Sequence, residues 1–158
     1  MNRNIKELKK ILGAKDNNKS YSVLNNKLML FEQKNVLKIP PDLSDYFKLL
    51  DNAVNQLDKD LYEFYPFDNF KSIEKGLVHW GPVPNYGNIV NTLSQAENCF
   101  VFADYMSNLF AYAIRLYKEN TDVNEVYLIC GDKYKVLATS FSGFIELYLH
   151  DSIELKTI

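Results

Sequence analysis

From Glu97 to Leu149 apolar and polar positions alternate in blocks. Apolar runs at Cys99–Ala103, Leu109–Leu116, Val126–Cys130 and Tyr134–Thr139 are separated by polar, turn-prone segments, which predicts four antiparallel strands joined by hairpins. In the second run Phe110, Tyr112, Ile114 and Leu116 fall on one face and Ala111, Ala113 and Arg115 on the other, the period of a half-buried strand with one core face. Behind a cap at Ser140 or Thr139, the residues Phe141, Phe144, Ile145, Tyr148 and Leu149 recur at helical spacing, so one stripe carries the large apolar side chains. Laid on the meander, that stripe buries several aromatics at about 1.5 to 3 kcal/mol each.

Upstream the pattern turns helical. Ile5, Leu8, Ile11 and Leu12 predict a short amphipathic helix ended by Gly13, with Ala14–Ser20 a loop; residues 1–20 read as a peripheral element. Tyr21, Leu24, Leu28 and Phe31 predict a second helix that gives way to extended chain before Pro40. The pair Pro40-Pro41 starts a third, with Asp42 and Asp45 at the positive end of its dipole and Leu43, Tyr46, Phe47, Leu50 and Val54 as its buried stripe. Leu61–Tyr65 reads as a strand closed by Pro66, and Asp68–Lys75 as one more helical turn. Leu77–Gly87 is dense in Gly, Pro and Asn around Trp80, an irregular loop whose rings pack down or serve recognition. The expected architecture is one α+β domain over residues 1–158, with helices packed on one side of a mostly antiparallel sheet of four to six strands.

Composition narrows the function. A net charge of −2 argues against dedicated nucleic-acid binding, which shows as a strongly basic face. Met1–Lys15 has no apolar leader run and no stretch approaches about 18 apolar residues, so a cytoplasmic protein without a membrane span is expected. Cys99 and Cys130 lie inside predicted strands without CxxC spacing and read as small buried hydrophobes, with a cross-strand disulfide the lesser alternative.

Chemistry is sparse. The two histidines and two cysteines offer one conceivable catalytic set, Cys99 with His79 and Asp104, and His150 is accounted for by a helix C-terminus. No metal-ligand spacing and no phosphate-loop glycine pattern occurs, so neither metal nor cofactor is expected. Charge is uneven, however. Asp42, Asp45, Asp51, Asp58, Asp60, Glu63 and Asp68 outnumber Lys48 and Lys59 in one stretch, while Arg3, Lys6, Lys9, Lys10, Lys15 and Lys19 make the N-terminus basic. The acidic stretch is a solvated face or a docking patch for a basic protein.

The order of several motifs resembles the SUKH superfamily, which groups bacterial immunity proteins with a fungal cell-wall synthesis regulator. Those motifs are Ile39-Pro40-Pro41 with Tyr46–Leu50, then Phe64-Tyr65-Pro66-Phe67, Phe100–Asp104, Phe110–Ile114, and Thr139-Ser140-Phe141 with Phe144–Leu149. The resemblance spans residues 21–151. It implies a helix-backed antiparallel sheet, no enzymatic activity and no cofactor, and direct binding of a cognate toxin, often a nuclease or deaminase. A regulatory or scaffold role in cell-wall control is the alternative it allows. Asp51–Val54 and Tyr105–Asn108 stand where family members often carry glycine turns, so the third helix is free to run on and the hairpin depends on Ser107 or Asn108 for unusual backbone angles. The candidate partner contacts are Asp58, Asp60 and Glu63 in the acidic segment, Trp80 and Tyr86 as aromatic anchors, and Asp104 and Tyr105 at a strand end.

Overall fold

Strand β3 (Cys99–Tyr105) is the spine of the molecule: it pairs with β4 (Phe110–Arg115) on one side and with two short strands, β1 (Tyr62–Phe64) and β2 (Lys71–Ser72), on the other. The computed structural model describes residues 2–15 and 18–158, side chains of 18–20 excepted. Beyond β4 the meander continues through β5 (Val126–Cys130) and β6 (Lys133–Ala138), so six antiparallel strands are present among the described residues. The strand from Leu61 is shorter than its sequence suggests, and Lys71-Ser72 is strand where a helical turn is expected. Its backbone pairs with Val101 and Phe100, which displaces the turn to α4 (Ile73–Gly76).

The long helices gather on one face. α1 (Arg3–Leu12), α2 (Asn18–Asn35), α3 (Pro41–Leu50) and α6 (Phe141–Leu149) share a core with Phe100, Phe102, Tyr112, Ile114, Val126 and Leu128. Pro40 precedes the first turn of α3, and Leu43, Tyr46, Phe47 and Leu50 are its buried stripe. The helix stops at Leu50, because Asn52 and Ala53 continue as a turn that ends in Asn55 at φ +75. Helix α6 is capped by Ser140, whose Oγ accepts from the Gly143 N–H. Ile5 and Leu8 are wholly buried, so α1 is built into this core and is no peripheral element. Of the expected loop Ala14–Ser20, Asp16, Asn17 and the side chains at 18–20 lie outside the described residues, and the backbone is already helical at Asn18.

The other face is the larger departure. Ala111 and Ala113 are fully buried, because the segment from Ile73 to Asn98 folds over them as a second core holding Ile73, Leu77, Tyr86, Ile89, Leu93 and Tyr127. It includes the short helix α5 (Ile89–Thr92). Small side chains on β4 leave room there for large ones from the covering segment. The sheet is therefore buried on both faces over β3 and β4. A bulge between Val101 and Ala103 shifts the register, after which Asp104 stands opposite Ala111 on this second face.

Candidate partner-binding surface

The tip of the sheet is where the chain turns from β3 into β4 and where β1, paired with the end of β3, begins. Met106, Ser107 and Asn108 all take positive φ, at 50, 49 and 76°, so this hairpin uses three non-glycine residues for angles that usually select Gly or Asn. Leu61, at φ 72°, stands next to it, its carbonyl accepting from the Met106 N–H at 2.9 Å. Leu57 bridges to Glu63 on the outer side of β1, and Val83 shares with Met106 a shallow cleft of about 280 Å³. Leu57, Leu61, Met106 and Val83 are 50, 43, 47 and 89% exposed. Leu61, Met106 and Val83, joined in turn by that hydrogen bond and that cleft and held out to solvent, form the kind of patch that marks a contact site, while Leu57 opens onto the helix side beside Ile11, Leu12 and Tyr148.

Carboxylates ring this patch, in two different roles. Asp60 is exposed and its only ion pair among the described residues is with the adjacent Lys59 at 3.2 Å, itself almost fully solvated. Asp58 is committed inward: Oδ1 accepts from the N–H groups of Asp60 and Tyr62, and Oδ2 accepts the Tyr148 hydroxyl at 2.6 Å. It fixes the turn into β1 and ties that turn to α6.

Glu63 and Asp104 face each other across the β1–β3 pair. Asp104 is 1% exposed, accepting the Tyr65 hydroxyl at 2.5 Å and the Asn108 N–H at 3.4 Å. Burial pushes its carboxyl up, against the pull of Tyr65, Asn108 and Glu63. Burial also raises Glu63, and the nearby Asp104 charge and a hydrogen bond between the two carboxyls add to it. The pair holds protons more tightly than either acid alone.

The seven sequence-predicted contacts therefore divide. Asp60 and Glu63 reach the rim of the tip. Tyr105 is half-buried, stacked on Phe110 and lying under the Lys156 ammonium at 5.6 Å, so it is a floor for the rim. Trp80 is half-buried, packed edge-on against Tyr86 at 5.2 Å and against the second core. Tyr86, Asp104 and Asp58 are corrections. Tyr86 is wholly buried and its hydroxyl donates to the carbonyls of Asn108 and Leu109, so it pins the hairpin and reaches no partner. Asp104 and Asp58 likewise spend their oxygens inside the chain.

Sequence reading misses Leu61, Val83 and Met106. Their signal is apolar identity in turns, where Gly, Asn, Asp and Ser are the usual occupants.

The conceivable catalytic set does not assemble. Cys99 begins β3 and Asp104 lies near its end, roughly 16 Å along the strand at about 3.3 Å per residue. Burial pushes the Cys99 thiol up to about 12, and its Sγ lies against the Gln95 carbonyl. Both cysteines are free thiols; Cys130 is half-buried, more open than expected. His150 closes α6, its Nδ1 2.8 Å from the Glu146 carbonyl. Among the described residues no group of three or more His, Cys, Asp or Glu could hold a metal ion, and no helix is long and apolar enough to cross a membrane. Compared with protein-family models, with curated proteins and with solved structures, the chain matches none.

Proposed function

We propose that this chain is a binding module of the immunity type, which neutralises a toxin domain by covering a basic surface with the tip of its sheet. The carrying observation is the apolar patch of Leu61, Val83 and Met106 with Asp60 and Glu63 at its rim. Apolar side chains supply the buried centre of such an interface, and carboxylates steer a cationic partner and set its register. A stoichiometric block of this kind needs about 1,200 to 2,000 Å² of buried surface, which the tip and the outer side of β1 would share. The resemblance to the SUKH superfamily supports the immunity role, since that family's members act by direct binding. A toxin with a nucleic-acid substrate carries the positive surface that these acids complement.

The test is co-expression with a polymorphic toxin encoded beside the gene for this chain. Protection of the cells and co-purification of the two proteins are expected, and Leu61→Arg with Met106→Arg should abolish both while leaving the thermal midpoint within a few degrees. A folded wild-type chain that neither protects nor co-purifies overturns the reading.

A further inference from the structure

At the end of β3 remote from the tip, a groove of about 710 Å³ runs between α2 and the β2–α4 segment. Its size falls within the range of small-molecule sites. The floor is aromatic and already packed: Phe70 stacks on Phe100 at 5.1 Å, and Phe31 meets Phe100 and Phe67 edge-on at 5.1 and 5.7 Å. Phe70 and Phe100 are themselves only 5% exposed, so the apolar surface open to a ligand is that of the half-buried Phe31 and Phe67 together with Leu30.

The walls carry cations. On α2, Lys27, Leu30, Phe31 and Lys34 follow helical spacing and line the groove; Leu30 is 60% exposed there. Lys71 and Lys75 stand on the opposite wall. Lys27 is bound to Asp68 at 2.9 Å, whereas Lys34, Lys71 and Lys75 are exposed and make no ion pair among the described residues. Against those three stand two lining acids, Glu74 and Glu97. The surplus is a single positive charge. That balance suits one anionic head on an apolar body and does not suit a polyanion, whose phosphates would need a row of uncompensated cations.

We propose that this groove binds an amphiphilic anion: an aliphatic or aromatic body seated on Leu30, Phe31 and Phe67, with a singly charged carboxylate or sulfonate type of head between Lys34 and Lys71. The site is independent of the tip. Phe100 lies at the start of β3 and Tyr105 at its end, so occupation of one leaves the other open.

The probes are 1-anilinonaphthalene-8-sulfonate and its uncharged counterpart N-phenyl-1-naphthylamine, titrated by fluorescence into the folded full chain. Saturable binding of the sulfonate at one site per chain is expected. Lys34→Glu with Lys71→Glu should weaken it roughly tenfold, from two reversed exposed ion pairs, and leave the neutral probe within about twofold. Leu30→Glu should weaken both probes, and Leu61→Arg at the tip neither, with near-ultraviolet circular dichroism confirming the fold of each variant. Unsaturable binding, or sulfonate binding indifferent to the lysine reversals or to Leu30→Glu, overturns the proposal. Loss of sulfonate binding in Leu61→Arg does so as well, because it would move the site to the tip.

Discussion

The Asp42 carboxylate, at the first turn of α3, accepts the backbone N–H of Ser142, at the first turn of α6, through Oδ2 at 2.8 Å, while Oδ1 accepts the N–H of Leu43 at 2.9 Å. One side chain thus satisfies donors at the starts of two helices that lie 100 residues apart in sequence. Unpartnered first-turn N–H groups are costly when partly buried. Asp42→Ala should lower the unfolding free energy by about 1 to 2 kcal/mol in urea titrations, and Asp42→Asn by less, because the amide oxygen still accepts one of the two bonds.

Opposed carboxyls make stability depend on pH in a definite direction. Glu63 and Asp104 both hold their protons above the ordinary values of 4.5 and 3.8 in the folded chain. Their contribution is fully present below those values and is lost as pH rises through the raised ones, since the unfolded chain gives up its protons first. The urea midpoint should therefore fall between about pH 4 and neutrality. Asp104→Asn should flatten that fall and be more stable than the parent at pH 8, since its amide still accepts from Tyr65 and removes the buried charge. A parent midpoint that climbs with pH through this window would contradict the assignment.

Thiol reactivity should separate the two cysteines. Cys99 is buried and held near 12, so almost none of it is thiolate at pH 8, and Cys130 is raised as well but is half-buried. Iodoacetamide at pH 8 should label Cys130 slowly in the native protein and Cys99 only after unfolding, as read by mass spectrometry of the digested chain.

Two glycines provide a matched pair. Gly131, in the β5–β6 turn, has φ +63, and a Cβ there would lie 3.1 Å from the Asn85 carbonyl; Gly13, after α1, has φ +65 and open space around it. Both alanine variants carry the left-handed backbone cost of about 1 to 2 kcal/mol. Gly131→Ala should be the more destabilising, and the difference between the two thermal shifts reports the crowding against Asn85.

Much of the fold is written in periodicity. The four meander strands, the Phe141–Leu149 stripe with its Ser140 cap and the proline start of α3 follow from local spacing and capping chemistry, which act within a few residues. The second core is not legible in the same way. Ala111 and Ala113 are too small to announce a buried face, and their cover comes from Ile73–Asn98, where glycines and prolines mask the buried Leu77, Tyr86 and Ile89. The strand at Lys71-Ser72 owes its form to β3 and to nothing in its own two residues. At the tip, the acids are visible in sequence, but their commitments are not: whether a carboxylate faces solvent or caps a turn depends on partners such as Tyr148, 90 residues away from Asp58.

The seating of α1 bears on how the chain is made. Asn4 donates its side-chain amide to the Ser142 carbonyl, across 138 residues, and Ile5 and Leu8 are buried in the core this helix shares with α6. During synthesis the opening helix leaves the ribosome long before the segment it rests on exists. Its oily stripe stays without that partner until then, and the long-helix side of the sheet closes only once Phe141–Leu149 has been made.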